Sequence, residues 1–299
     1  MNVLEIKNIH KNFNEKEVLR GIDLTIKENS IFGFVGKNGA GKTTTMKAIL
    51  GLIKIDNGEI YVCGEKVLYG ETPTNKYIGY LPDVPEFYSY LTTREYLMLC
   101  GESLGMDKDT IKTRSEELLD LVGLKEEKRR IKVFSRGMKQ RLGVAQALLS
   151  SPKLLICDEP TSALDPIGRK EILDILTSAR KLTTVLFSTH ILSDVERICT
   201  DVALLDDGKI VLQDSVENLK KNKEDKFIVE VVEENDIGCL LTLNNCKKTT
   251  NLIVQFIGGD EKMQEVLDFI LKNKINIKKI ERLEPSLESL FMEMVKWNH

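Results

Sequence analysis

Two short stretches of this chain carry the residue types needed to hold and cleave a phosphate chain. The first, Gly36-Lys37-Asn38-Gly39-Ala40-Gly41-Lys42-Thr43-Thr44, sets glycines around a lysine and two hydroxyls. Residues without a Cβ let several backbone N–H groups turn toward the same phosphate oxygens. Lys42 is then placed to reach the β- and γ-phosphates, and the Thr43 hydroxyl suits Mg²⁺. The second, Leu154-Leu155-Ile156-Cys157-Asp158-Glu159, is an apolar run ending in two carboxylates. Asp158 fits the acid on the Mg²⁺ side, and Glu159 fits the residue that polarises the attacking water. Phosphoryl transfer depends on positioning and charge stabilisation, so carboxylates fixed at a strand end are suited to it. An acidic turn alone could equally be a solvated surface feature; its coexistence with Lys42 gives it a chemical role.

These residues need rigid elements to place them. Ile31–Val35 is a short continuous apolar run, as expected of a strand buried on both faces. The glycine-rich turn follows at once, and Lys42–Ile53 reads as a helix. This strand–loop–helix context is what a phosphate loop requires. Upstream, Val3, Leu4, Ile6 and Ile9, then Ile22, Leu24 and Ile26, alternate as strands do. Asp56-Asn57-Gly58 signals a turn before Glu59–Cys63. From about 86 to 150 helical spacing dominates, through Tyr96, Leu97, Ile111, Leu118 and Val122, which predicts a separate helical lobe. Strand-like runs return at Leu154–Cys157, Val185–Ser188 and Val202–Leu205 with helical stretches between them, an α/β pattern. Residues 216–226 are polar and basic, and read as a linker. Beyond them a smaller α/β unit over 227–299 is expected, with strands at Phe227–Val232, Leu252–Ile257 and Ile275–Ile280. Its helices are expected near Asp260–Leu271 and Ser286–Lys296.

Composition narrows the class. With 43 basic and 46 acidic residues the net charge is −3, which argues against a general nucleic-acid binder. The six cysteines are scattered without a CxxC pair, so reduced thiols in a cytoplasmic protein are expected. Cys157 sits inside a strand pattern and reads as a small core hydrophobe. The N-terminal residues alternate and carry charges, unlike a signal peptide. No apolar run approaches the roughly 18–20 residues that span a bilayer. If the protein works at a membrane, another chain must supply the span.

A third stretch is more specific. Phe134-Ser135-Arg136-Gly137-Met138 precedes the acidic strand end and resembles the signature motif of ABC ATPases, usually written LSGGQ. Phe134 stands for the leucine, Arg136 for the first glycine and Met138 for the glutamine, while Ser135 and Gly137 are intact. Ser162-Ala163-Leu164-Asp165 resembles that family's D-loop, which crosses the dimer interface. His190, after Ser188 and Thr189, matches its switch histidine, and Phe13 stands where the family stacks an aromatic on adenine. His10 and His299 have no such context.

The resemblance covers about residues 1–215. It implies a P-loop NTPase core with an N-terminal antiparallel β subdomain and a helical lobe, binding ATP and Mg²⁺. Lys42, Glu159 and His190 would be catalytic. Phe13, the loop from Gly36 to Thr44, Ser135 and Gly137 would contact nucleotide, and Thr43, Asp83 and Asp158 would face the metal. Ser135 and Gly137 would act on the ATP of a second ATPase subunit in a head-to-tail dimer. The partner implied is a polytopic membrane permease in a separate chain, with this subunit cytoplasmic and peripheral on the inner face of the membrane.

Two departures from the family pattern matter most. Ile78-Gly79-Tyr80-Leu81-Pro82-Asp83 resembles the Q-loop, with Asp83 in place of glutamine. Arg136 either adds a cation near the partner's phosphates or faces solvent. The signature string and the tail Glu284-Pro285-Ser286-Leu287-Glu288-Ser289-Leu290-Phe291 resemble one subgroup, the ATPase subunits of drug, antibiotic-peptide or lantibiotic-type exporters. The alternative is a soluble ABC ATPase acting on nucleic acid or ribosomes. Such proteins usually carry two nucleotide domains or long coiled coils, and neither pattern is present.

Overall fold

Alternation over the first residues produces two long antiparallel strands, β1 (Asn2–Phe13) and β2 (Lys16–Lys27), with Leu4, Ile6, Ile22 and Leu24 turned inward. The computed structural model describes residues 1–14, 16–70, 73–221, 225–283, 287, 288, 290 and 291. Next comes β3 (Ile31–Gly36), buried at every position, as its unbroken apolar run requires. It feeds α1 (Lys42–Ile49), which stops short of Ile53. Gly51 takes φ 68° there, and the amides of Leu50, Gly51 and Leu52 bond back to Met46, Ala48 and Lys47. A helix closed by a left-handed glycine cannot continue. Two short strands, β4 (Asn57–Val62) and β5 (Glu65–Lys66), complete an antiparallel sheet in the order β2-β1-β4-β5.

The chain then crosses the core as β6 (Ile78–Leu81) and enters the helical lobe: α2 (Thr93–Ser103), α3 (Lys108–Leu121) and α4 (Arg136–Leu148). Each helix has its own start signal. Thr92 and Glu95 form a capping box on α2, and Asp107 and Ser135 cap α3 and α4. The core resumes with β7 (Leu154–Cys157), α5 (Pro166–Ala179), β8 (Thr184–Thr189), α6 (Leu192–Ile198), β9 (Asp201–Asp206) and β10 (Lys209–Ser215).

These strands form a six-stranded sheet in the order β10-β9-β3-β8-β7-β6, parallel except for β10. Inward residues of β1 and β2 share one core with Phe32, Phe34, Met46, Ile156 and Leu186, so the antiparallel sheet is packed against the parallel one. The register places Leu81 opposite Cys157, Cys157 opposite Phe187, and Val35 opposite Thr189. The residues that follow β3, β6, β7 and β8 therefore emerge at one edge of the sheet. Open α/β sheets bind ligands at that carboxyl edge.

The chain divides into two compact units, Met1–Val216 and Glu217–His299. The first residues of the segment read as a linker form α7 (Val216–Lys221), in which Lys221 pairs with Glu217 one turn away. Residues 222–224 of that segment lie outside the described residues.

The second unit runs β11 (Lys226–Val231), α8 (Asn235–Leu240), β12 (Cys246–Lys248), β13 (Ile253–Ile257), α9 (Asp260–Asn273) and β14 (Ile277–Leu283). Its antiparallel sheet has the order β12-β13-β11-β14, the βαββαβ succession of ferredoxin-like folds. Phe227 stacks on Phe256 at 5.2 Å, above Val266 and Ile270 of α9. The helix expected near Ser286–Lys296 lies mostly outside the described residues, as do Glu284, Pro285, Ser286 and Ser289 of the tail motif.

Candidate active site

The loop between β3 and α1 is shaped by what its glycines omit. Gly39 and Gly41 take φ values of 83° and 113°. A Cβ on Gly41 would lie 2.8 Å from Leu19 of β2. As an N-cap with no side-chain bond, Gly41 leaves the first amides of α1 without an internal acceptor. Lys42, Thr43 and Thr44, in that first turn, line a cavity of about 420 Å³ shared with Asp83, Asp158 and Glu159. Free amides and the positive end of a helix dipole make such a space receptive to phosphate.

Lys42 is buried, at 6% exposure, yet fully engaged. Its Nζ donates to the carbonyls of Gly36 at 2.7 Å and Lys37 at 3.2 Å, and lies 3.1 Å from Oε1 of Glu159. That oxygen has ion-pair proximity but no aligned hydrogen bond. Glu159 itself takes φ 47°, a left-handed conformation uncommon outside glycine. The turn lets its Oε2 reach Nδ1 of His190 at 2.9 Å. Strain of this kind concentrates at functional sites.

Asp158 is buried at the end of β7. The Ser188 hydroxyl, on the neighbouring β8, donates to Asp158 Oδ1 at 2.6 Å and accepts the backbone N–H of Glu159 at 2.9 Å. Ser188 was not singled out as a site residue in the sequence. The available signal was its place, two residues before His190 at a strand end beside the acids.

Asp83 contributes a third carboxylate to the cavity, and its Oδ1 accepts from Arg136 at 3.2 Å. Partial burial holds the Asp83 carboxyl above the usual range, and Asp158 and Glu159 push the same way, while Arg136 opposes them. Tyr80, on β6 nearby, is pushed up to about 12, chiefly by burial and then by Asp158.

Among the described residues no three His, Cys, Asp or Glu side chains form a ready-made metal cage. Mg²⁺ rarely uses one; it takes one or two carboxylates and completes its shell with phosphate and water. Thr43, Asp83 and Asp158 on one cavity are a donor set that fits.

Other expected site residues lie apart from this cavity. Phe13 is exposed at the end of β1, with Lys11 Nζ 5.2 Å from its ring centre. Gly36, Lys37 and Ala40 form the base of the loop; a Cβ on Gly36 would lie 2.5 Å from the Leu205 carbonyl oxygen. Ser135 caps α4 by accepting from Met138 N–H at 3.2 Å, which leaves its own hydroxyl hydrogen to donate. Gly137 has open space: the nearest atoms to an added Cβ are 4.0 Å away. Asp165 caps α5.

In the helical lobe, Tyr88 and Tyr90 are exposed, whereas Phe87 packs edge-on against buried Tyr96 at 5.0 Å. Tyr88, Tyr96, Leu99 and Leu104 line a groove of about 340 Å³.

A glycine-rich loop, a buried lysine and strand-end acids on a parallel sheet define a P-loop nucleoside triphosphatase. The chain's likenesses are narrower. A family profile described as ABC transporter matches residues 19–162. The bacitracin transport ATP-binding protein of Bacillus licheniformis is 33% identical over 300 residues, covering 98% of this chain and 97% of that protein. The linearmycin resistance ATP-binding protein of Bacillus subtilis (strain 168) is 30% identical over 304 residues, covering 98% of each. Among solved structures, cbiO1 from Clostridium perfringens, part of the ABC transporter complex cbiONQ, superposes with a TM-score of 0.69 at 26% identity. That match covers 74% of this chain and 91% of cbiO1. The chain belongs to the ATP-binding, ATP-hydrolysing subunits of ABC transporters. No helix among the described residues is long and apolar enough to cross a membrane.

Proposed function

We propose that this subunit powers the export of a drug, antibiotic or peptide through a separate membrane permease, hydrolysing ATP at the cavity around Lys42. The observation that carries this reading is the convergence of Lys42, Thr43, Asp158 and Glu159 on one cavity at the carboxyl edge of the sheet. The unit Met1–Val216 is the nucleotide-binding domain in this reading, and Glu217–His299 an accessory domain.

The loop from Gly36 to Thr44 holds the phosphate chain, with Lys42 against its β- and γ-phosphates and Phe13 offering a face to adenine. Thr43, Asp158 and Asp83 would hold Mg²⁺, which would neutralise phosphate charge when bound. Glu159 accepts a proton from water as that water's oxygen bonds to the γ-phosphorus and the bond to ADP breaks. His190, tied to Glu159 through Nδ1, keeps Nε2 for the γ-phosphate. The Lys42–Glu159 pair must part before either can serve.

Ser135 and Gly137 act on the ATP of a second copy in a head-to-tail dimer. No described residue crowds Gly137, so the missing side chain leaves room for something arriving from outside. The exposed tyrosines and the groove beside Leu99 suit a helix of the permease, and in this reading the subunit works on the inner face of the membrane. The export reading follows the bacitracin transport and linearmycin resistance relatives.

Replacing Glu159 by Gln tests the site. Binding of ATP should persist, hydrolysis should fall by about 10²–10⁴, the usual scale for a lost general base, and ATP should hold two copies together. Unchanged turnover would sink the assignment. Affinity capture from solubilised membranes tests the partner: a polytopic membrane protein supports the reading, whereas ribosomes or nucleic acid would replace it.

A further inference from the structure

Two of the residues that depart from the family pattern, Asp83 and Arg136, touch each other. Asp83 follows β6 on the way out of the core, and Arg136 opens α4, 53 positions later. Arg136 was expected either to approach a partner's phosphates or to face solvent. Instead its guanidinium donates to Asp83 Oδ1 within the same chain.

The contact is one of three along a single face of α4. One turn after Arg136, fully buried Gln140 donates from Nε2 to the Asp83 backbone carbonyl at 3.1 Å. Next comes Gly143, where a Cβ would sit 2.5 Å from Leu81 and 3.4 Å from Pro85. Spacings of four and three residues share one helix face. Gln140 and Gly143 fasten the backbone of the Asp83 loop to α4, so loop and helix are mechanically joined.

The Arg136–Asp83 contact differs from those two. The side chains are 43% and 46% exposed. Exposed ion pairs shift an equilibrium by only about one- to fivefold, so this one is easily exchanged. The competing site is at hand, because Asp83 borders the same cavity as Thr43 and Asp158.

Resting on the nucleotide-site reading above, we propose that Arg136 is a positioning residue for Asp83. It holds the carboxylate against α4 until Mg²⁺-nucleotide draws it away, and loading of the cavity thereby frees the first turn of the signature helix. Ser135 and Gly137 flank Arg136 in that turn. Filling one subunit's site would thus release the residues it offers to the other subunit's nucleotide.

The test is a Mg²⁺ titration of binding of a fluorescent non-hydrolysable ATP analogue to the full chain. Arg136→Gln should lower the half-saturating Mg²⁺ about two- to fivefold, the scale of an exposed pair. Arg136→Lys, which keeps the charge, should return it toward the parent. Asp83→Asn should raise the half-point, and Arg136→Gln added to it should have no further effect. Both side chains are half-exposed, so none of these changes opens a core cavity. A half-point indifferent to Arg136, or moved equally with and without Asp83, overturns the proposal while leaving the nucleotide site intact. Failure of the parent chain to bind the analogue at any Mg²⁺ concentration overturns both.

Discussion

Lys42 and Glu159 stand 3.1 Å apart, an ammonium against a carboxylate that are 6% and 14% exposed. Each belongs to a separate motif, one at the start of α1 and one after β7. Their proximity means that the charges intended for substrate first neutralise each other. A buried ion pair loses more when one partner is removed than when both are.

Lys42→Met should therefore destabilise the nucleotide-free protein by about 2–4 kcal/mol, somewhat below the usual range for a broken buried pair because Glu159 keeps His190. Adding Glu159→Gln should restore part of that loss, the rest reflecting the Gly36 and Lys37 carbonyls left without their donor. Urea denaturation of the single and double variants reads this directly. A double variant as unstable as the sum of its parts would mean that the two charges do not depend on each other.

Two glycines should respond in opposite ways to the same change. At Gly79 an added Cβ would lie 2.1 Å from the Ala147 carbonyl oxygen, where β6 packs against α4. Gly79→Ala should cost at least about 1–3 kcal/mol, as overpacking against backbone does. Gly137→Ala meets nothing closer than 4.0 Å, so thermal stability should hold or rise slightly. ATP-dependent dimerisation in the Glu159→Gln background should nevertheless weaken, measured by size-exclusion chromatography. A stable Gly137→Ala protein that still dimerises fully would remove the case for close approach at that position.

Asp165 has a local duty separable from any role across a dimer. It accepts from Gly168 N–H at 2.9 Å as the N-cap of α5. Asp165→Ala should lower stability by about 1 kcal/mol, the typical value of a lost cap. Asp165→Ser should regain it, since serine caps as well. If turnover stays low in the serine variant while its melting temperature recovers, the carboxylate acts beyond its own helix; full recovery of both confines it to capping.

Thiol chemistry should separate the cysteines by burial. Cys157 is fully buried in β7, and burial, followed by the Asp158 charge, pushes its thiol far above the usual range. The thiolate is the reactive form. At pH 8, iodoacetamide should label exposed Cys239 readily and leave Cys157 unmodified until urea unfolds the protein. Peptide mass spectrometry of the folded sample decides it, and early labelling of Cys157 would contradict the burial.

Much of this was legible in residue order because the chemistry sits at strand ends. Unbroken apolar runs at Ile31–Val35, Leu154–Cys157 and Val185–Ser188 located β3, β7 and β8 within a residue or two, and the functional side chains follow them directly. Periodicity failed where elements are short. The six residues of α8 include a glycine and complete fewer than two turns, and the three residues of β12 cannot show alternation. The overlong reading of α1 missed the left-handed glycine that ends it. The Asp83–Arg136 contact was invisible for another reason: the two are 53 positions apart, and each was noticed only as a deviation from a motif. Pairing of distant deviations requires the fold.

The Ser188 hydroxyl has a consequence for motion. It is bonded at once to Asp158 and to the Glu159 backbone, and it lies two residues before His190 on a strand fixed in register with β7 and β3. The acids, the histidine and the phosphate loop are thus set in one stiff plate, with little freedom to approach or retreat separately. Whatever moves when ATP arrives must hang from that plate. Under the exchange proposed above, the part that responds would be the segment after β6, where Asp83 would trade Arg136 at the first turn of α4 for the loaded cavity. The sheet would then be the fixed jaw, and the first turn of the signature helix the moving one.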